Sequence, residues 1–140
     1  MISTKGRYAL RVVIDIAENE NGSPVRLSDV AARQEISLKY LELIIPSLTK
    51  AGIVLSAHGK GGGYRLSVTP DKLKVGDVIR AAEGELAPVA CLKEDAAPCD
   101  RADNCKTLRI WKEYYRLTNA YFDSISIEDV INGNIEFKNK

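Results

Sequence analysis

The stretch that most constrains this chain is His58-Gly59-Lys60-Gly61-Gly62-Gly63, a nearly bare run set between two short apolar segments. Ile53-Val54-Leu55-Ser56-Ala57 precedes it and Tyr64-Arg65-Leu66-Ser67 follows it. Both carry the β-branched or aromatic residues of strands, while the glycines permit a sharp reversal with little side-chain bulk. A β-hairpin with a stripped tip is predicted. A phosphate-binding loop is excluded, because the run lacks the Gly-Lys-Ser/Thr ending and leads into a strand rather than a helix.

Helical signals fill the chain before the hairpin. Ser3-Thr4 can cap a helix through Arg7–Ala17, where Tyr8, Val12, Ile16 and Ala9, Val13, Ala17 form adjoining stripes. A polar turn over residues 19–24 ends it. Leu27–Arg33 reads as a short helix capped by Ser28, and Gln34-Glu35-Ile36 as a brief turn. Ser37 then caps a helix from Leu38 to Ala51, with Gly52 as its stop and Leu41, Ile44, Ile45 and Leu48 facing the core. Pro46 lies inside that helix, where it removes the bond to the Glu42 carbonyl and is expected to bend the axis. Helix, helix, turn, helix, hairpin is the layout of a winged helix-turn-helix. The expected class is mainly α with a small β-hairpin wing (α+β).

After the hairpin, Val75–Glu83 reads as a helix closed by Gly84, and residues 85–104 as an irregular loop. A long helix is expected from Cys105 to about Asp123, with Leu108, Trp111, Tyr115 and Phe122 on one stripe. Ile110, Tyr114, Leu117 and Tyr121 form a second stripe beside the first. Apolar faces this wide exceed the need of one small core, so the helix is expected to pack against a second subunit. Ser126 opens a last short helix ending near Gly133. The expected organisation is a winged DNA-binding unit over 1–84, a cysteine-bearing loop over 85–104, and a dimerisation helix with its tail over 105–140.

With 140 residues, 45% hydrophobic and 28% charged, the chain fits one ordinary globular domain. It has no apolar run of bilayer-spanning length, and Met1-Ile2-Ser3-Thr4-Lys5 does not open a signal peptide, so a cytoplasmic protein without membrane partners is expected. The charge is unevenly spread. Residues 1–75 hold 11 Lys and Arg against 7 Asp and Glu, and residues 76–140 hold 9 against 12. The first half is the one suited to a polyanion. Catalysis has little support: the single histidine, His58, has no triad companion, and no paired-carboxylate or metal-hydrolase motif is present.

A helix-turn-helix puts the start of its second helix into the major groove. Here that start is Ser37, Leu38, Lys39 and Tyr40. Ser37 and Tyr40 can reach phosphates or bases, Lys39 supplies charge, and the helix dipole favours phosphate. In the hairpin, Gly59 and its neighbours let the backbone approach a duplex, while Lys60 and Arg65 offer cations.

These elements resemble a known family, the winged-helix repressors typified by the bacterial iron–sulfur cluster assembly regulator, whose other members sense nitric oxide or cysteine supply. The matching residues are Ser3-Thr4-Lys5-Gly6-Arg7-Tyr8-Ala9, Ile36–Glu42, Leu48-Thr49-Lys50-Ala51-Gly52, Gly61-Gly62-Gly63-Tyr64 and Val75–Ile79, continuing into the cysteine segment, over about residues 2–132. The resemblance implies a homodimer on a palindromic double-stranded DNA operator, long C-terminal helices crossing at the interface, and Glu42 and His58 among the DNA-reading positions. His58 stands where the family usually has Arg, Leu43 where Gln is frequent and Thr49 where a basic residue is frequent. These departures bear on operator sequence more than on DNA binding, because phosphate contacts are spread over many groups.

Cys91, Cys99 and Cys105 fall within fifteen residues, an odd number that argues for metal or redox chemistry rather than a disulfide framework. The spacing is not the paired Cys-x-x-Cys of structural zinc. It is similar to the three-cysteine loop that holds a [2Fe–2S] cluster in cluster-sensing members of the family. In the type member a histidine follows the third cysteine by three residues; here that position is Leu108. A fourth ligand could be Asp95, Asp100, Asp103 or a residue of the partner chain. The alternatives are a zinc or simple thiol switch, and a cofactor-free regulator controlled by thiol oxidation or by a docked partner enzyme.

Overall fold

The computed structural model describes residues 2–136; residues 137–140 of the expected tail lie outside the described residues. Six α-helices and one two-stranded sheet are present among them, in the order α1 (Thr4–Asn19), α2 (Leu27–Gln34), α3 (Leu38–Lys50), β1 (Val54–Ala57), β2 (Gly63–Leu66), α4 (Val75–Glu83), α5 (Leu108–Asp123) and α6 (Ile127–Asn132). The expected mainly α fold with a β-hairpin wing is observed.

Helix α1 is the spine. Ala9, Val12, Val13 and Ile16 are fully buried, and they share one core with Val30 of α2, Leu41, Ile44 and Leu48 of α3, and Val78 and Ile79 of α4. Burying each such aliphatic side chain contributes roughly 1.5–3 kcal/mol, so this shared contact is what holds the four helices together. Ile125 and Ile127 join the same core. The backbone sews that return in place: Val75 donates to the Ile125 carbonyl at 2.9 Å and Ile127 donates to the Leu73 carbonyl at 2.8 Å.

Several local expectations are corrected. Helix α2 begins at Leu27 with Arg26 as its N-cap, so Ser28 lies inside the first turn rather than capping it. The cause is the wing: Val25 and Tyr64 exchange two backbone hydrogen bonds of 2.8 Å, which keeps the chain extended up to Arg26. Helix α5 begins at Leu108, not Cys105, because the Leu108 amide bonds to the Cys105 carbonyl three residues back, in a tighter turn than an α-helix. Ser3 does precede α1, but its hydroxyl leaves the helix and donates to Glu83 Oε1 at 2.5 Å. The loop over 85–104 carries one short 3₁₀ turn, Ala90–Leu92.

Helix α3 runs through Pro46 without breaking. Pro46 is exposed, so the Glu42 carbonyl it leaves unbonded sits on the solvent side of the helix. Ser37 caps α3 as expected, its Oγ accepting from the Tyr40 amide at 3.1 Å. The hairpin pairs Val54 with Leu66, Leu55 with Arg65, Ser56 with Tyr64 and Ala57 with Gly63. Strand bounds shift by a residue from those expected, and the Ser67 amide still reaches the Ile53 carbonyl at 2.9 Å.

Candidate nucleic-acid interface and cysteine pocket

The turn joining α2 to α3 is set by Glu35, whose backbone is left-handed (φ 54°), and by Ile36, whose amide returns to the Ala31 carbonyl at 3.1 Å while its side chain is buried. This places Ser37 at the head of α3. The first turn of α3 then presents Leu38, Lys39 and Glu42 outward, Leu38 being 41% exposed. Leu43, 66% exposed, continues the same outer face, while Leu41, Ile44 and Ile45 point to the core. Tyr40 is half-buried: its ring meets Tyr8 of α1 edge-on at 5.4 Å.

The second group of candidates lies on the wing. His58, Gly59 and Lys60 form its exposed tip, where Gly59 and Gly61 take left-handed φ values of 91° and 82° that a side-chain-bearing residue adopts only under strain. Arg65 is exposed but sits back along β2, opposite Leu55. The candidates thus fall at two exposed places, the head of α3 and the hairpin.

Sequence reasoning missed the residues that brace this surface. Asp15, 3% exposed, accepts from Arg33 through both carboxylate oxygens (2.7 and 3.1 Å) and from Gln34 at 2.9 Å, tying α1 to the end of α2. That pairing raises the Arg33 pKa above its ordinary value. Arg11 lies 5.2 Å over the Tyr8 ring and hydrogen-bonds both the side chain and the carbonyl of Gln34. One signal was legible: Asp15 falls between Val12 and Ile16 on the apolar face, where a carboxylate needs a partner. Glu83, at the far end of α4, accepts from the Ser3 amide (2.8 Å), the Ser3 hydroxyl and the Gly6 amide (3.0 Å). A Cβ at position 6 would collide with that carboxylate, so the Gly6 in the N-terminal motif is there for close approach.

Beyond α4, the chain forms the cysteine loop and then α5. Cys91, Cys99 and Cys105 all line one pocket of about 420 Å³, together with Asp103, Leu108 and Lys112. Cys91 and Cys99 are exposed and Cys105 is partly covered. The Thr107 hydroxyl beside its sulfur, and then the Thr107 amide, hold the Cys105 thiol below the usual thiol range, with the Leu108 amide and Arg101 adding to the effect. Three soft sulfur donors around one opening suit an iron–sulfur cluster. No three His, Cys, Asp or Glu side chains among the described residues are gathered tightly enough to hold a single metal ion. His58 is in the wing, and Leu108 borders the pocket without offering a donor atom.

Helix α5 is tied to the winged unit by Arg80 of α4, which donates to Asn119 Oδ1 at 2.8 Å and to Asp123 Oδ1 at 2.5 Å, and by Phe122, which packs against the shared core. None of its residues is buried, and Ile110, Trp111, Tyr114, Leu117 and Tyr121 are exposed. No helix among the described residues is long and apolar enough to cross a membrane.

A helix-turn-helix whose second helix is capped by Ser37 and followed by a glycine-tipped hairpin defines a winged-helix DNA-binding protein. The family model Rrf2, described as an iron-dependent transcriptional regulator, matches residues 2–133, and the chain belongs to this family. It is a DNA-binding transcription regulator and not an enzyme. It is 36% identical over 130 residues to the HTH-type transcriptional regulator IscR of Aliivibrio salmonicida, covering 93% of this chain and 76% of that one. Among solved structures it is similar to CymR, the global cysteine regulator of B. subtilis, with a TM-score of 0.76 at 34% identity, over 95% of this chain and 97% of that one. IscR of T. potens gives a TM-score of 0.75 at 33% identity, over 100% of this chain and 93% of that one.

Proposed function

We propose that this protein is a cytoplasmic homodimeric repressor whose operator affinity is set by a [2Fe–2S] cluster on Cys91, Cys99 and Cys105. The observation that carries the reading is the single pocket lined by all three thiols at the foot of an apolar helix that its own chain leaves exposed. The second copy covers the Ile110, Tyr114, Leu117 and Tyr121 face of α5. Two winged units related by a two-fold axis then read a palindrome with half-sites about one helical turn (~10 bp) apart.

Within each half-site, the Ser37 hydroxyl, which already accepts from the Tyr40 amide, keeps its proton free to donate to DNA. Lys39 and Lys60 meet phosphates, and Arg65 adds a cation along the wing. Leu38 offers apolar contact to a thymine methyl and Glu42 an acceptor for a cytosine amine. His58 and Gly59 bring the wing tip against the duplex.

When bound, a [2Fe–2S] cluster supplies a redox-sensitive centre whose gain or loss is the signal. The chain's own residues relay it. The cysteine loop runs from the end of α4, where Glu83 grips the start of α1, to the start of α5. Movement of that loop therefore acts at both ends on the angle between the two winged units.

A second reading, a cofactor-free regulator switched by thiol oxidation, draws on the lowered Cys105 pKa and on the likeness to a cysteine regulator. Anaerobic purification with iron and sulfide analysis separates the two, followed by operator binding with duplexes selected from a random pool. Near-equal iron and sulfide, and an affinity that changes when they are removed, are expected. A protein still iron-free after reconstitution, whose DNA affinity responds to oxidant alone, establishes the second reading instead.

A further inference from the structure

We propose that Asp103 is the fourth protein donor to the cluster, an inference that rests on the cluster reading above. A [2Fe–2S] unit takes four protein ligands, and the three cysteines supply only three. The loop contains further carboxylates at Asp95 and Asp100. Of the three aspartates, only Asp103 borders the pocket that all three thiols line.

The local backbone explains the selection. The Ala102 amide donates to the Cys99 carbonyl at 3.0 Å and the Asn104 amide to the Arg101 carbonyl at 2.9 Å. These two overlapping turns coil residues 99–104 so that Cys99, Ala102, Asp103 and Cys105 all border the pocket, while Asp100 and Arg101 do not. The carboxylate of Asp103 is uncommitted: no hydrogen bond or ion pair engages it among the described residues. Leu108 borders the pocket as well but has no donor atom, so a ligand there must come from another position. Lys112, one helical turn after Leu108, brings a cation to the same opening, where it offsets the negative charge of thiolates and carboxylate.

A carboxylate in place of a fourth thiolate is a harder, weaker donor to iron, which makes the site easier to empty and gives it a distinct spectrum. The test uses the full-length protein reconstituted anaerobically with ferrous iron and sulfide, and compares Asp103→Ala, Asp103→Cys, Asp95→Ala and Asp100→Ala. Asp103→Ala is expected to lose iron to a chelator at least about tenfold faster than wild type, whereas Asp95→Ala and Asp100→Ala match wild type. Asp103→Cys is expected to keep near-equal iron and sulfide with stronger sulfur-to-iron absorption and a lower reduction potential. If wild type takes up iron and sulfide while Asp103→Ala holds them as firmly as the other two alanine variants, or if Asp103→Cys leaves the spectrum unchanged, Asp103 is not the ligand. If wild type takes up neither, the cluster reading itself fails, and this proposal with it.

Discussion

Helices α1 and α5 are each 16 residues long and each amphipathic, yet they end in opposite states. Helix α1 buries Gly6, Ala9, Val12, Val13, Asp15 and Ile16, whereas α5 buries nothing. The difference does not lie in how apolar the stripes are: Ile110, Trp111, Tyr114, Leu117 and Tyr121 are at least as bulky as the Ala, Val and Ile side chains that α1 buries. It lies in what faces them. Around α1 the chain supplies α2, α3, β2, α4 and α6, whereas the main partner of α5 is α4. A helix completed by its own chain is part of the fold, and one left incomplete is a surface made for a second copy, as proposed above.

The sharpest way to break this contrast is to cut into α1. Ile16→Ala removes most of a fully buried side chain from the shared core and should destabilise the protein by about 2–5 kcal/mol. Denaturant unfolding at fixed protein concentration measures it, since any dimer makes stability depend on concentration. A loss well under 1 kcal/mol would mean that α1 is not the spine of the fold.

The next largest effect should come from α5, in a different observable. Ile110→Glu with Tyr114→Glu puts two carboxylates on the exposed face, where Ile110 is 58% and Tyr114 53% accessible. Helical content should stay near wild type, sedimentation should show a monomer, and operator affinity should fall roughly a hundredfold as one half-site no longer helps the other. A double variant that remains dimeric would move the interface off this stripe.

The same contrast governs what could be read from the sequence. Helix α3, its Ser37 cap and the glycine-tipped hairpin were legible because they depend on local chemistry: a short hydroxyl before an apolar stripe, and glycines where φ must be positive. The width of the apolar face on α5 was legible for the same reason. The cap of α2 was not, since it depends on Val25 pairing with Tyr64, almost forty residues away. Glu83 at the head of α1 and Arg80 across α5 are likewise long-range contacts that no local pattern marks. At the candidate site, the cysteine spacing announced a ligand group, but which aspartate shares the pocket depends on two turns in a loop without periodicity.

The smallest expected effect lies where α5 hands the chain back to the core. Ser126 and Asp129 cap α6 reciprocally: the Asp129 amide donates to Ser126 Oγ and the Ser126 amide to Asp129 Oδ2, both at 2.9 Å. The bond from the Ser126 amide, ahead of that from its side chain, holds the Asp129 carboxyl below the usual aspartate range. Because the folded-state pKa is depressed, the stabilisation is present above the ordinary carboxylate value and is lost as the pH falls through the lower folded value. The Ser126 amide resonance should therefore titrate in acid, with a midpoint below that of a free aspartate, and in Asp129→Ala it should not titrate with that midpoint. A midpoint at or above the ordinary value would show that the cap does not hold in solution. The end of α5 would then rest on Ile125, Ile127, their backbone bonds to Val75 and Leu73, and the Arg80 contacts, leaving this helix still more dependent on the second copy proposed to cover it.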